Sequence, residues 1–135
     1  VTDFNSAIID EFRAHGGKVA GPFEGAPLLL LTSVGAKSGE ARTTPVMYLP
    51  DGERMVIFAS KAGAPTNPAW YHNLLANPSA TVEVGTATID VDASVVTGEE
   101  RERLFDEQAD LYPRFADYAQ KTTREIPVIA LQPKA

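Results

Sequence analysis

Two short turn signals limit how this chain can fold. Asp51-Gly52 and Gly85-Thr86 each separate two strand-like runs. Turns this short join antiparallel neighbours, because a parallel pair needs a crossover of about a dozen residues or more. Strands are predicted at 28–34, 42–49, 54–60, 80–84, 87–95 and 127–132. Consecutive strands meet through hairpins rather than long helical crossovers. That pattern favours an α+β fold: a mainly antiparallel sheet closed on itself as a barrel, with helices outside.

The runs differ in how they bury. Residues 28–34 open on four leucines and read as a buried strand. In 54–60, Met55, Ile57 and Ala59 alternate with Arg54, Val56 and Phe58. In 87–95, Ala87, Ile89, Val91, Ala93 and Val95 are expected to face inward. Thr88, Asp90, Asp92 and Ser94 are expected to face water. A helix is predicted over 3–15, ended by Gly16-Gly17. Asn67 reads as a cap and Pro68 as the first helical residue of a short helix over 68–76, which Asn77-Pro78 stops. Thr97 and Glu100 form a capping-box pattern for a helix over 99–111, followed by another over 113–121. The order is helix, three strands, short helix, two strands, two helices, strand. The 135 residues read as one domain, with residues 1–17 its N-terminal helical segment and no repeat or linker.

Composition removes several function classes. The net charge of −6 argues against a general attraction to nucleic acid. There is no cysteine, so no disulfide framework or thiolate site is available. The two histidines, His15 and His72, are far apart in sequence, and no metal site is expected. No G-x-G-x-x-G, phosphate-binding G-x-x-x-x-G-K-[ST] or G-x-S-x-G pattern occurs. No apolar run approaches the ~20 residues of a membrane span, and no leader pattern is visible. A cytoplasmic protein is expected. The helix over 3–15 has a short apolar face, which suits packing on a barrel end, with membrane-surface contact as the second reading.

Within this acidic chain, residues 27–82 carry only Glu40, Asp51 and Glu53 against Lys37, Arg42, Arg54 and Lys61. The loop Gly35-Ala36-Lys37-Ser38-Gly39-Glu40-Ala41-Arg42-Thr43-Thr44-Pro45 gathers a lysine, an arginine, three hydroxyls and two glycines. Glycines let backbone N–H groups turn toward a ligand, and the two cations can neutralise phosphate or carboxylate. A solvated turn is the plainer reading. Ser60-Lys61, where a strand runs into an irregular loop, is a second candidate. The third is aromatic: Trp70 and Tyr71 open the short helix, and Tyr112, Phe115 and Tyr118 recur every three residues. Together they describe a basic cradle beside an aromatic pocket, suited to a flat ring with an anionic tail.

At these residues the chain resembles the deazaflavin-dependent nitroreductase family. The resemblance runs from Leu28-Leu29-Leu30-Leu31-Thr32-Ser33-Val34-Gly35-Ala36-Lys37-Ser38-Gly39 through Arg42-Thr43-Thr44-Pro45. It continues through Phe58-Ala59-Ser60-Lys61-Ala62-Gly63-Ala64-Pro65, Asn67-Pro68-Ala69-Trp70-Tyr71-His72-Asn73-Leu74 and Ala76-Asn77-Pro78, to Tyr112-Pro113 and Ile126-Pro127-Val128. It implies a split β-barrel that binds coenzyme F420, an 8-hydroxy-5-deazaflavin with a phosphate and an oligoglutamate tail. Lys37 and Arg42 would hold the phosphate, with Ala36, Ser38, Thr43 and Thr44 completing the site. Pro45, Val46 and Met47 would supply backbone along the ring edge. Phe58, Ala59, Ser60 and Lys61, and Ala69, Trp70, Tyr71, His72 and Asn73, would lie against the ring and its side chain.

Two departures stand out. The family often has a basic residue where this chain has Ala36. Its late helix commonly carries three tyrosines, and here the middle position is Phe115, counted among the cofactor-facing residues. The reaction implied is hydride transfer from reduced F420 to a flat, electron-poor acceptor such as a quinone, with nitro compounds as incidental acceptors. Trp70, Tyr112 and Tyr118 would hold the acceptor, and a tyrosine hydroxyl or Ser60 would meet its incoming charge, or solvent would quench it. A flavin mononucleotide oxidoreductase on the same fold and a non-catalytic deazaflavin carrier are the alternatives. A homodimer is left open.

Overall fold

A computed structural model of the chain describes residues 4–18, 27–60, 67–122 and 125–134. The elements are α1 (Phe4–Ala14), β1 (Leu28–Val34), β2 (Ala41–Met47), β3 (Leu49–Asp51), β4 (Arg54–Phe58), α2 (Ala69–Ala76), β5 (Ser79–Val84), β6 (Ala87–Val96), α3 (Gly98–Leu111), α4 (Arg114–Lys121) and β7 (Val128–Pro133). The strands form one sheet in the order β2-β1-β5-β6-β7-β4-β3, and every neighbouring pair is antiparallel.

The two ends of that order, β2 and β3, are separated in sequence only by Tyr48. The sheet therefore curls until its edges meet, as a split barrel requires. Each edge strand carries a proline, Pro45 in β2 and Pro50 in β3. Proline has no N–H to give to a ladder and is tolerated at sheet edges. The single strand expected over 42–49 is thus two strands. The break falls at Tyr48, whose N–H donates to the Pro27 carbonyl at 3.2 Å.

Curling leaves two apolar cores. In β1, Leu28 and Leu30 belong to one core, and Leu29 and Leu31 to the other. The first core is covered by Ile8 and Phe12 of α1, Leu104 and Phe105 of α3, and Phe115 of α4. The second is covered by Trp70 and Leu74 of α2. The alternation in β4 follows this division, with Val56 and Phe58 on the first core and Met55 and Ile57 on the second.

Three local expectations change. Ala87 and Val95 were expected to face inward, yet both are exposed, Val95 at 44%, whereas Val96 is buried in the first core. Val95 borders a small apolar cleft beside the end of α2, with Leu75 and Pro78 also in its lining. The eight-residue helix stops short of covering it. At α2 the cap position is Pro68, one residue later than expected, and it makes no side-chain cap hydrogen bond. At α3, Thr97 occupies the cap position without a side-chain hydrogen bond. Gly98 takes φ +66°, and the Glu100 carboxylate instead accepts from Arg54 at 3.2 Å.

Arg54 also donates to Asp51 across the Gly52-Glu53 turn, with Gly52 at φ +62°. The hydrogen bond from Arg54 holds the Asp51 carboxyl below its ordinary range, against some opposing desolvation. A lowered folded-state pKa contributes stability that is present above the unfolded value and lost as pH falls through the folded value. Asp51→Asn should therefore cost about 0.5–1 kcal/mol near neutrality. It should also flatten the fall in stability below about pH 4, which denaturant melts across pH 2–7 will show.

Gln108 sits fully buried in α3, and neither of its side-chain amide atoms has a partner among the described residues. An unpaired buried amide costs about 1–3 kcal/mol. Gln108→Met, of similar shape, should raise stability by about 1–2 kcal/mol in thermal melts.

Candidate active-site cleft

The loop between β1 and β2 spans residues 35–40 and is closed by its own backbone. Gly35 N–H donates to Glu40 O at 2.8 Å and Gly39 N–H to Gly35 O at 3.0 Å. Gly39 takes φ +72°, a conformation that costs any residue with a Cβ. The Ser38 hydroxyl folds back to accept the Glu40 N–H at 3.2 Å. A Cβ at Gly35 would lie 2.4 Å from that hydroxyl oxygen, so glycine there lets the loop close.

This turn exposes the Lys37 and Arg42 side chains. Lys37 forms no ion pair among the described residues. Arg42 pairs with Glu40 at 3.2 Å, but both side chains are mostly exposed, at 62% and 69%. Such a pair is worth little and can be exchanged for a stronger anion.

The start of α2 shares an open cleft of ≈ 860 Å³ with this loop. Its lining includes Ala36, Lys37, Ser38, Arg42, Thr43 and Thr44 from the loop and β2, and Ala69, Trp70, His72 and Asn73 from α2. Trp70 is itself buried in the second core, which makes it a fixed apolar wall. Asn73 ties the two sides together, its Oδ1 accepting the Ala36 N–H at 3.0 Å. That amide is therefore already engaged within the protein. The Thr43 hydroxyl lies 2.8 Å from that of Thr32 on the neighbouring strand.

The other sequence candidates lie elsewhere. Because β2 pairs with β1 alone, no described strand is hydrogen-bonded to its outer edge. Pro45 and Met47 are buried there and Val46 is half-buried. Ala59 and Ser60 are buried where β4 ends, and Lys61 lies outside the described residues. Tyr71 turns away from the main cleft to line the small apolar one, its ring 5.5 Å from that of His72.

Phe58, Phe115 and Tyr118 form an edge-to-face chain, with centroid separations of 5.8 and 5.3 Å. Tyr112, at the α3 C-cap, and Tyr118 pack half-buried against the first core, whereas Trp70 belongs to the second. Tyr112 and Tyr118 are thus not among the residues lining the main cleft. Ser33 was not among the sequence candidates. It is buried behind the loop and receives a long hydrogen bond from Asn73 Nδ2 at 3.5 Å, a role that a serine inside a strand does not advertise.

A family model described as F420H(2)-dependent quinone reductase matches residues 7–133. The chain belongs to this family. An F420H(2)-dependent quinone reductase of Mycobacterium tuberculosis strain H37Rv is 38% identical over 124 residues, 89% of this chain and 83% of that protein. A solved structure of an F420-H2 dependent reductase superposes with TM-score 0.72 at 39% identity, covering 78% of this chain and 94% of its own. Another solved structure, described as a domain-swapped dimer, superposes with TM-score 0.74 at 36% identity, covering 92% and 91%. The family and these structural likenesses agree with the split barrel and with the resemblance carried by residues 28–45 and 58–78.

Proposed function

We propose that this chain is an oxidoreductase that transfers a hydride from reduced coenzyme F420 to a quinone. The observation that carries the reading is the cleft in which Lys37 and Arg42 share a lining with Trp70, in a chain matched to this family over 7–133. The residues present fit the cofactor. The cleft has the volume of a cofactor pocket, its two cations suit a phosphate and acidic tail, and buried Trp70 offers an apolar wall to a ring.

Bound F420 in its reduced form supplies a hydride, and the protein supplies binding and orientation. Lys37 and Arg42 neutralise the phosphate, with Ser38 and Thr44 as neighbouring hydroxyls. Pro45, Val46 and Met47, on the outer edge of β2, would supply backbone along the ring. Phe58, Ala59 and Ser60, at the end of β4, are assigned to the reacting end. Ser60, Tyr112 and Tyr118 are assigned to the acceptor, where a hydroxyl can stabilise the charge it gains. Phe115 supports Tyr118 by ring contact. Nitro compounds that are flat and electron-poor would use the same position.

A cytoplasmic location is part of this reading. No described helix is long and apolar enough to cross a membrane, and α1 commits Ile8 and Phe12 to the core, which favours barrel packing over membrane contact. Pairing of two copies is suggested by the relative described as a domain-swapped dimer. Stopped-flow mixing of the protein and reduced F420 with a panel of quinones tests the reaction. Acceptor-dependent oxidation of the cofactor is expected. Binding without turnover by any quinone would make the protein a carrier.

A further inference from the structure

Asn73 lines the cleft, yet both ends of its side chain are committed inside the protein. The Ala36 N–H can only donate, so the atom facing it at 3.0 Å must be Oδ1. That leaves Nδ2 to face the Ser33 hydroxyl, 3.5 Å away. Ser33 is 1% exposed and lies outside the cleft lining.

We propose that Ser33 is a positioning residue for the basic cradle, acting through Asn73 on the Ala36 amide. The proposal rests on the cofactor-binding reading above for its functional consequence, but the relay itself can be measured without a ligand. Ala36 immediately precedes Lys37, within the loop whose φ +72° at Gly39 only glycine adopts readily. The closing bonds of that loop join residues of the loop to one another. The Asn73 bond joins it to another element and sets the height of Lys37 above α2. The Ala36 N–H fixes which way the Asn73 amide points, and Ser33 holds the other end of that amide in place, so the loop is held in its binding shape before an anion arrives. Preorganisation of this kind strengthens binding without adding a contact to the ligand.

The test compares Ser33→Ala, Asn73→Ala and the double variant. Exchange of the Ala36 amide proton, followed by 15N NMR on the ligand-free protein, should be at least tenfold faster in Ser33→Ala. The Leu30 amide in the strand core should keep its protection. Each single change should raise the dissociation constant for oxidised F420 threefold to tenfold. The double variant should be no weaker than Asn73→Ala alone, because both act through one strut. Ser33→Ala should raise KM for reduced F420 and leave kcat at saturation near the wild-type value, a split that general loosening would not give. Unchanged Ala36 exchange in Ser33→Ala, or losses that multiply in the double variant, would overturn the proposal. If Ser33→Ala does not fold, Asn73→Ala is read by the same exchange measurement, with unchanged exchange again decisive against it. If the wild-type protein binds no F420, the functional reading fails, and Ala36 exchange still decides the relay.

Discussion

Replacing Lys37 and Arg42 together by alanine should raise the dissociation constant for oxidised coenzyme F420 by about a hundredfold or more. Charge-assisted hydrogen bonds are worth about 1.5–3 kcal/mol each, so each single change should cost about tenfold or more. Both side chains are exposed at the mouth of the cleft. Neither supports the core, and the Arg42–Glu40 pair is mostly in solvent. Melting temperature should therefore stay within about 2 °C of wild type. Isothermal titration and thermal melts of the three variants separate the two effects. Loss of binding with intact stability is the signature of a ligand contact. The single losses should also shrink with added salt, since exposed charges are screened over about 8–10 Å.

Phe58→Ala should instead strike the fold first. Its ring is buried in the first core, edge-on to Phe105 at 6.0 Å and Phe115 at 5.8 Å. Removing a buried phenyl ring costs about 3–5 kcal/mol, here a fall in melting temperature of roughly 10–20 °C. Phe58→Leu keeps most of the volume and should cost about half as much or less. Function should follow the same path. Phe115 lies between Phe58 and Tyr118, so the cavity left by Phe58 loosens the helix that carries Tyr118. Below its melting transition, Phe58→Ala should raise KM for quinone more than it weakens F420 binding, because Lys37 and Arg42 stand on the β1–β2 loop and strand. Steady-state kinetics with each substrate varied in turn reads this difference.

Much of this organisation was legible in the sequence because it depends on local chemistry. The Gly52 and Gly85 turns fixed hairpins whose pairings are Asp51 with Arg54 and Val84 with Ala87. The apolar run opening 28–34 marked a buried strand, and the structure sets it between two cores. What escaped depends on distant partners. The break at Tyr48 follows from closing a curled sheet, where its N–H meets Pro27. The Thr97 capping box lost its acid to Arg54, 46 residues away in sequence. Exposure of Val95 follows from the length of α2, not from the alternation of β6.

The site divides in the same way. Lys37, Arg42 and the α2 start could be read from composition and from the family resemblance, and one cleft brings them together. Periodicity showed that Tyr112, Phe115 and Tyr118 are spaced alike. It could not show that Phe115 joins Phe58 in the first core while Trp70 serves the second. Ala36 read as a backbone donor for phosphate, yet Asn73 takes that amide. Backbone partners of this kind leave no mark on spacing.

Everything proposed for this protein requires that the cleft between the residue 35–40 loop and α2 bind a deazaflavin. Parallel spectroscopic titrations of the wild-type protein with oxidised F420 and with flavin mononucleotide test it most directly. Saturable binding of F420 is expected at micromolar protein, at least tenfold tighter than the flavin, and lost in the Lys37→Ala, Arg42→Ala double variant. Tighter binding of the flavin, or no binding of F420 at that concentration, would contradict it.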